Sequence, residues 1–389
     1  MKAKTALWWV SAVLAGLPPP AGVAAEDPPP FTERESRAIL AHGPWPVAAG
    51  ADPSNRVSGK REAMEFGERL FFDRRLSGSG KFSCGTCHVP ERNWTDNQTR
   101  GAAAAEVDRN TPTLMNARLG RWFGWDGAAD SLWSQSMRPI LDTRELGASP
   151  RHVAELVRKD EQLACRYRKS FGAAPSATDD EAVLVDVAKA LAAFQETFES
   201  PPTPFDQFRN ALARGEPIRP WGYSEAARRG LRIFIGKGTC STCHSGPNFS
   251  NGEFRDNGFS TLAAQGRADP GRIEGLKRVR ESRFNRLGPY NDDPARAAAE
   301  DARRAMQAQV DPGSFKVPTL RHLLLSAPYG HHGEIETLAE VVRHYSERGS
   351  GMVKSLMLTA REQSDLVVFL ESLSTFSNPW RPEDTGRCY

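Results

Sequence analysis

Apolar residues recur every three to four positions along several segments, which is the spacing of the buried face of an α-helix. After Ser149-Pro150, this pattern predicts a helix that continues to about Lys169. Two further helices each follow a Thr-x-x-Glu capping box. They are predicted over residues 182–198, after Thr178-x-x-Glu181, and over residues 363–373, after Thr359-x-x-Glu362. Helical periodicity dominates the chain, and we therefore expect an all-α fold.

The two halves of the chain repeat the same series of short motifs, which indicates an internal duplication. The second and third pairs of motifs lie 206 residues apart. The pairs are Gly67-Glu-Arg-Leu-Phe with Gly230-Leu-Arg-Ile-Phe, Thr111-Pro-Thr-Leu with Val317-Pro-Thr-Leu, and Trp125-Asp-Gly with His331-His-Gly. The second half also holds extra residues, interpreted as a charged loop over about 265–311. Its arginines, such as Arg278, Arg280, Arg283 and Arg286, are expected to be solvated.

Pro201, Pro202 and Pro204 mark a linker between the halves. We therefore predict one domain over residues 26–200 and a second domain over residues 201–389.

Residues 1–25 have the pattern of a secretory signal peptide. Lys2 and Lys4 precede a short apolar stretch, and Val23-Ala24-Ala25 offers small residues for cleavage. We therefore expect export to the periplasm, with cleavage after Ala25. Elsewhere no apolar run approaches the roughly 20 residues that a membrane span needs. Charged residues make up 25% of the 389 residues, and the mean hydropathy is −0.52, which excludes a multi-pass membrane protein.

The overall charge argues against a nucleic-acid partner. The chain carries a formal charge of +3, and loss of residues 1–25 removes two lysines and no acidic residue, which leaves +1. A protein that binds nucleic acid carries a clear positive excess.

Four of the six cysteines lie in two Cys-x-x-Cys-His motifs, Cys84-Gly-Thr-Cys87-His88 and Cys240-Ser-Thr-Cys243-His244. This motif is the attachment signature of c-type haem, in which two thiols form thioethers and the histidine binds iron. A zinc ribbon normally separates its cysteine pairs by about 15–20 residues, far fewer than lie between these two. A thioredoxin-like pair does not require the following histidine. We therefore predict two covalent haem c groups, with His88 and His244 as proximal ligands.

The remaining cysteines are Cys165 and Cys388. In an oxidising compartment they could form a disulfide, but nothing in the sequence places them close together.

At this point the chain resembles the bacterial dihaem cytochrome c peroxidase family, which includes the MauG-type enzymes. The resemblance covers nearly the whole chain after residue 25. Besides the two haem motifs, it rests on Asn110-x-Pro-Thr, Trp125-Asp-Gly with the spaced Gln135, Pro139 and Glu145, Phe315-Lys-Val-Pro-Thr-Leu-Arg, and Ala327-Pro-Tyr-x-His331. It implies two cytochrome c-like helical domains, each binding one haem, with hydrogen peroxide reacting at the first.

The resemblance also implies roles for three residues near the first haem. Trp125 matches a tryptophan that lies between the haems and serves electron transfer, although it could instead be a core aromatic beside Trp122 and Trp133. Gln135 and Glu145 match polar residues above the peroxide-binding iron. A carboxylate there can move a proton between the peroxide oxygens, whereas an exposed loop glutamate would have no such role.

A calcium ion is a further implication of the resemblance. Asn110 matches a calcium ligand, together with backbone carbonyls equivalent to those of Ser326 and Pro328. Oxygen donors of this kind suit calcium.

The sixth iron ligands separate two branches of the family. Many of its peroxidases carry a histidine in the loop after the first haem motif, but here no histidine lies between His88 and His152. The first iron is therefore expected to have an open side, next to Pro139. At the second haem the peroxidases place a methionine where this chain has Tyr345, which is the duplicate of Pro139. An anionic phenolate favours higher oxidation states of iron than a thioether does.

Three alternatives to Tyr345 as the ligand stay open, namely His344, Met352 and Met357.

Three functions follow from these observations. The first is a MauG-like oxidase that uses peroxide to oxidise a partner protein through a high-valent dihaem state. The second is a conventional cytochrome c peroxidase supplied with electrons by a small cytochrome c or a cupredoxin. The third is a dihaem electron carrier without catalysis, which the Gln135 and Glu145 pair and the open first site argue against.

Overall fold

A computed structural model describes residues 30–216, 222–260, 262, 266–293, 297–307, 310–349, 355–375 and 386–388. The expected signal peptide, residues 1–25, lies outside the described residues. Within them the protein is built from helices, with one short two-stranded sheet, so the predicted all-α class is confirmed. None of the helices in this part of the chain is both long enough and apolar enough to cross a membrane.

The helices follow one another in both halves with few strands between them. They are α1 (Glu33–Leu40), α2 (Arg61–Phe71), α3 (Cys84–Cys87), α4 (Leu132–Leu141), α5 (Pro150–Lys159), α6 (Glu161–Phe171), α7 (Asp180–Gln195), α8 (Pro204–Ala213), α9 (Glu225–Ile235), α10 (Arg272–Glu281), α11 (Ala297–Gln307), α12 (Leu338–Glu347) and α13 (Ala360–Glu371). Strands β1 (Phe254–Arg255) and β2 (Phe315–Lys316) pair antiparallel, with Phe254 opposite Lys316.

The helix ends are fixed by capping side chains, and two of them differ from the sequence prediction. The predicted helix after Ser149 is interrupted at Asp160, whose backbone is extended and whose side chain caps α6 by accepting from Leu163 N. Helix α7 is capped by Asp179 instead of the predicted Thr178, because the Asp179 carboxylate reaches Ala182 N. The predicted capping box of Thr359 and Glu362 is confirmed.

Each half contains one large hydrophobic core. The first is formed mainly by α2, α4, α5, α6 and α7, around Phe66, Trp94 and Trp133. The second is formed mainly by α8, α9, α12 and α13, around Phe234 and Phe369. Helix α1 contacts α8 and α9, and its Ile39 is buried in the second core. The start of the described chain therefore packs against the second half, across the predicted linker.

The duplication read from the sequence is reproduced in the backbone. The turn around Trp125 is closed by a bridge between Phe123 and Ala129, and the turn around His331 by a bridge between Tyr329 and Ile335. These bridges are 206 residues apart. Short 3₁₀ helices at Ala117–Leu119 and Leu323–Leu325 keep the same separation, as do α4 and α12.

Each half depends on one close helix crossing at a glycine. A Cβ atom on Gly67 of α2 would lie 2.0 Å from the Ala190 carbonyl oxygen of α7, and one on Gly230 of α9 would lie 2.0 Å from the Asp365 carbonyl oxygen of α13. Only glycine lets these backbones approach so closely. The phenylalanines four residues after these glycines, Phe71 and Phe234, are both buried.

The segment 265–311, expected to be a charged loop, contains α10 and α11. Apolar residues of these helices pack on Trp122 of the first half, and the cluster consists of Leu276, Val279, Ala302 and Met306. Arg280 is also not freely solvated, since its guanidinium donates to the Met306 carbonyl. The high charge of the segment hid its apolar spacing in the sequence.

Cys165 of α6 and Cys388 form a disulfide, with their Cα atoms 6.0 Å apart. Two hydrogen bonds support it. Cys388 N donates to Gln162 Oε1 (2.7 Å), and Arg166 Nη2 donates to Gly386 O (2.7 Å). Residues 386–388 are therefore fastened to the first half of the chain.

The glycine crossings give the first testable prediction. Gly67→Ala and Gly230→Ala should each lower the free energy of unfolding by about 1–3 kcal/mol or more, because the added methyl group overlaps a backbone carbonyl. Gly50→Ala is the matched control, since a Cβ there meets nothing within 4 Å. Urea unfolding followed by circular dichroism would measure the changes. Equal stability of all three variants would contradict the crossing model.

Candidate functional site

A single cavity of about 920 Å³ connects the two halves of the protein. One end is lined by Cys84, Cys87 and His88, and the other by Cys240 and His244. Most of the other residues proposed from the sequence also line it, namely Asn110, Trp125, Gln135, Pro139, Glu145, Ser326, Pro328 and Tyr345. Residues that are far apart in the sequence are thus brought to one continuous space.

The first haem motif lies on the short helix α3 and the residue after it. Ser83 N donates to Thr86 Oγ1 (3.0 Å), which holds the start of this turn. The His88 Nδ1 atom lies 2.8 Å from the Trp94 carbonyl oxygen. Metal-binding histidines usually donate their second ring N–H in this way, which orients the ring and leaves the other nitrogen for the metal. Burial lowers the pKa of His88, so its imidazole is kept neutral.

The second haem motif lies on a 3₁₀ turn, Cys240–Thr242, but its histidine makes equivalent contacts. His244 N donates to Cys240 O (2.9 Å), as His88 N does to Cys84 O. The His244 Nδ1 atom lies 3.0 Å from the Phe249 carbonyl oxygen. Burial lowers the pKa of His244 to about 4. Burial likewise raises the pKa of the Cys84 and Cys240 thiols to about 12, so neither is a reactive thiolate.

These observations fit one haem c at each end of the cavity. Each motif supplies two thiols for thioethers and one neutral imidazole whose Nδ1 is already hydrogen-bonded. The cavity between the motifs is mostly apolar and lies at the upper end of the usual range of about 300–1,000 Å³ for ligand sites.

Gln135 and Pro139 lie on α4, and Glu145 lies in the turn that follows this helix. Arg138 Nη1 donates to Gln135 Oε1 (3.2 Å), which leaves the amide N–H groups of Gln135 available to a bound molecule. Glu145 is half-buried, and desolvation, followed by the nearby Asp142, raises the pKa of Glu145 to about 6. The positive charges of Arg138 and Arg144 partly offset this rise by lowering the pKa of Glu145. The carboxyl group can therefore gain or lose a proton near neutral pH.

Trp125 lines the cavity from the turn that the Phe123–Ala129 bridge closes. Its indole Nε1 donates to the Asn110 carbonyl oxygen (2.9 Å), and its own carbonyl accepts from Lys316 N (2.8 Å). Its ring centroid lies 6.5 Å from that of His331, the residue that replaces it in the second half. Trp122 also lines the cavity, whereas Trp133 is a fully buried core residue.

The three residues predicted to bind calcium all line the cavity. Asn110 Nδ2 donates to Gln98 O (2.8 Å), so its Oδ1 remains an acceptor, and Asn110 N donates to His331 O (3.0 Å). Asn97 Nδ2 donates to the carbonyl oxygens of Leu325 (3.1 Å) and Ala327 (2.8 Å), the residues on either side of Ser326. The calcium ion and its ligands remain a prediction.

Tyr345 of α12 lines the cavity at the end of the second motif, and it takes the place that Pro139 of α4 has at the first. Burial, together with Cys240 and Cys243, raises the pKa of its phenol. The alternatives are placed differently. His344 Nε2 lies 3.0 Å from the Asn257 carbonyl and is not among the lining residues, while Met357 is 81% exposed. Met352 lies outside the described residues.

Sequence reasoning missed a buried ion network that joins the two halves. Arg109 pairs with Asp126 (2.7 Å) and, through two N–H groups, with Asp269 (2.7 and 2.8 Å). The Asp269 carboxylate also lies 3.0 Å from His332 Nε2. Asp126 and His332 belong to the matched turns and could have been selected on that ground, but Asp269 lies in the segment interpreted as a solvated loop.

Comparison with known proteins assigns the family. A sequence model of the di-haem cytochrome c peroxidase family matches residues 61–213. The methylamine utilization protein MauG of Methylorubrum extorquens is 33% identical over 320 residues, which cover 80% of this chain and 78% of that protein. The cytochrome-c peroxidase IdrP2 of Pseudomonas sp. strain SCT is 30% identical over 356 residues, which cover 90% of this chain and 88% of that protein.

Solved structures agree on the fold. A MauG-like protein associated with microbial copper homeostasis superposes with a TM-score of 0.63 at 24% identity, covering 87% of this chain and 100% of that one. The diheme peroxidase BthA of Burkholderia thailandensis gives a TM-score of 0.64 at 19% identity, and the match covers 84% of this chain and 90% of that one. With the two Cys-x-x-Cys-His motifs at the ends of one cavity, the chain belongs to the MauG-like dihaem cytochrome c peroxidase family and is a dihaem peroxidase-type oxidoreductase.

Proposed function

We propose that this protein is a MauG-like enzyme that reacts with hydrogen peroxide in the first half and oxidises a partner protein. Tyr345 is the observation that carries this proposal. It lines the cavity beside the second haem motif, whereas His344 is hydrogen-bonded elsewhere and Met357 faces solvent. A tyrosine ligand to the second iron would stabilise its oxidised states and make it a poor entry point for electrons from a small donor.

The first half would bind peroxide without prior reduction. Pro139 lines the cavity where Tyr345 stands in the second half, and proline offers no side-chain ligand. His152, the next histidine after His88, lies away from the cavity, with its Nε2 2.8 Å from Arg75 O. No histidine side chain in the described part of the first half therefore competes with peroxide for that position.

Glu145 and Gln135 would handle the peroxide molecule. The Glu145 carboxylate would take the proton from one peroxide oxygen and deliver it to the other, which would then leave as water. The Gln135 amide, held by Arg138, donates a hydrogen bond that orients the peroxide. Haem c, when bound, supplies the electrons for cleavage of the O–O bond. Trp125, which lines the cavity, would carry electrons between the two haems.

The partner in this proposal is a protein that undergoes oxidation, for example at tryptophan or tyrosine side chains. The alternative is a conventional cytochrome c peroxidase that receives electrons from a small cytochrome c or a cupredoxin. Relatives of both kinds are similar to this chain, at 33% and 30% identity, so identity alone does not favour either. Gln135 and Glu145 in the cavity argue against a third candidate, a dihaem electron carrier without catalysis.

We also propose export to the periplasm through residues 1–25, two cytochrome c-like domains over 26–200 and 201–389, and one calcium ion at Asn110, Ser326 and Pro328. The Cys165–Cys388 disulfide supports export, because such bonds persist mainly in oxidising compartments. The signal-like pattern at the start of the chain supports it independently.

Haem content tests the attachment sites. The mature protein should retain two haems after acid–acetone extraction, because both are attached through thioethers. The double variants Cys84→Ala/Cys87→Ala and Cys240→Ala/Cys243→Ala should each retain one, as measured by intact mass and haem staining. Cys165→Ser/Cys388→Ser is the control and should keep two. Retention of only one haem by the wild type, or zinc in place of haem at either Cys-x-x-Cys-His motif, would contradict the two proposed haems.

Glu145 gives the protein a testable pH dependence. With its pKa raised to about 6, Glu145 is protonated below that pH and ionised above it. The rate constant for reaction with peroxide, measured by stopped-flow absorbance, should therefore rise through about pH 6 and level off above it. Glu145→Gln should remove this inflection and slow the reaction by about 10²–10⁴-fold.

Glu196→Gln serves as the control for this experiment. Burial also raises the pKa of Glu196, to about 7. Its carboxylate, however, accepts a hydrogen bond from Ser58 Oγ (2.7 Å) and does not line the cavity. This variant should keep the wild-type profile. A Glu145→Gln enzyme with unchanged kinetics would remove the proposed proton-transfer role.

Tyr345 separates the MauG-like proposal from the peroxidase alternative. The resting diferric protein should give one high-spin and one low-spin signal in electron paramagnetic resonance, from the His88 and the His244/Tyr345 haems. Tyr345→Phe should convert or shift the low-spin signal, and Tyr345→Met should raise the reduction potential of that haem. Tyr223→Phe, in which a buried tyrosine of the second core is changed, should leave both signals unaltered.

The same diferric protein should react with peroxide directly, before any reduction. A requirement for prior half-reduction, or a low-spin signal that survives unchanged in Tyr345→Phe, would favour the conventional peroxidase.

A further inference from the structure

The turn at residues 329–335 carries a cluster of potential metal ligands outside the haem motifs. His331 and His332 are 1% and 2% exposed, and Glu334 is exposed at the edge of the same turn. One ligand atom from each of these three side chains lies within 4.8 Å of the other two. The turn is held closed by Tyr329 N donating to Ile335 O (2.6 Å) and by Ile335 N donating to Tyr329 O (3.1 Å).

His331 offers a free electron pair at this place. Its Nε2 lies 2.9 Å from the Ser260 carbonyl oxygen, to which it donates, and its ring stacks on Phe315 with centroids 3.5 Å apart. Its Nδ1 is buried and has no hydrogen-bond partner among the described residues. Leaving a buried nitrogen without a partner is unfavourable, and a bound cation would supply that partner.

His332 is oriented in the way that metal-binding histidines usually are. Its Nε2 donates to the Asp269 carboxylate (3.0 Å), which is itself held by two N–H groups of Arg109. In this tautomer the His332 Nδ1 electron pair lies 3.2 Å from the Ser260 carbonyl oxygen, which also carries electron pairs. This contact is repulsive unless a proton or a cation lies beside Nδ1.

We propose that His331, His332 and Glu334 bind a divalent transition-metal ion of the zinc type. Two imidazoles and one carboxylate are a common ligand set for Zn²⁺, with water completing the tetrahedron. Calcium and magnesium prefer sets made only of oxygen. Glu334 lies at the surface and gives the ion a path from solvent. Asp269 would serve as the outer partner that orients His332.

The position of this ion gives it a consequence for the neighbouring tryptophan. The ring centroids of His331 and Trp125 are 6.5 Å apart. A divalent charge at His331 would make it harder to remove an electron from the Trp125 indole, because the oxidised indole is positively charged. The metal site itself does not depend on the proposed oxidase function.

Metal analysis of the diferric holoprotein tests the site. The protein would be washed with EDTA and then dialysed against ZnCl₂ in excess CaCl₂, so that oxygen-donor sites are filled with calcium. The zinc-to-iron ratio from inductively coupled plasma mass spectrometry should approach one zinc per two irons. His332→Asn and Glu334→Gln should weaken zinc binding at least about tenfold, and Asp269→Asn about 10–100-fold.

Two controls keep the test specific. Glu336→Gln changes an exposed glutamate beside the same turn, and His152→Asn changes a histidine outside the cavity. Both should bind zinc like the wild type. If the wild type, His332→Asn and Glu334→Gln bind zinc equally, the bound zinc is adventitious and the proposed site is wrong. Absence of zinc from the wild type would also overturn it, and would assign the contact near Ser260 to a proton on His332.

Discussion

The ion network around Arg109 fixes how the two halves face each other. Its guanidinium is shared by Asp126, which follows Trp125 in the first half, and by Asp269 of the second half. Removing one partner from a buried pair of this kind commonly costs about 3–5 kcal/mol, because a charge is left uncompensated. Since Asp126 and His332 occupy the matched turns, this network ties the turn that carries Trp125 to the turn that carries His331.

The duplicated backbone carries different chemistry in its two copies. The two bridged turns occupy matching positions in the duplicated halves, yet one carries Trp125 and the other carries His331. The helices that follow carry Pro139 in α4 and Tyr345 in α12 at equivalent places beside the cavity. Because the turns and helix crossings hold the backbone in the same form, single side chains at these equivalent places can give the two halves different chemistry.

Charges around the cavity also distinguish its two tryptophans. The Arg272 guanidinium lies 4.1 Å from the Trp122 ring centroid, and Lys316 Nζ donates to the Trp122 carbonyl (3.1 Å). These cations oppose the loss of an electron from Trp122. The Trp125 indole N–H instead donates to the neutral carbonyl of Asn110, which eases oxidation of that ring. When no cation is bound at His331, these contacts favour Trp125 over Trp122 for the electron-carrying role in the proposed function.

The sequence by itself determined the fold class, the duplication and the two haem attachment motifs, because these depend on residue spacing along the chain. It also selected Gln135, Glu145, Trp125 and Tyr345, which the tertiary structure brings to one cavity. Only the tertiary structure decided that α1 packs on the second core, that Cys165 meets Cys388, and that Asp269 joins Arg109 to His332. Each of these contacts joins residues more than 60 positions apart, and no local pattern records such a pairing. The raised pKa of Glu145 has the same origin, because burial and neighbouring charges arise only when the chain is folded.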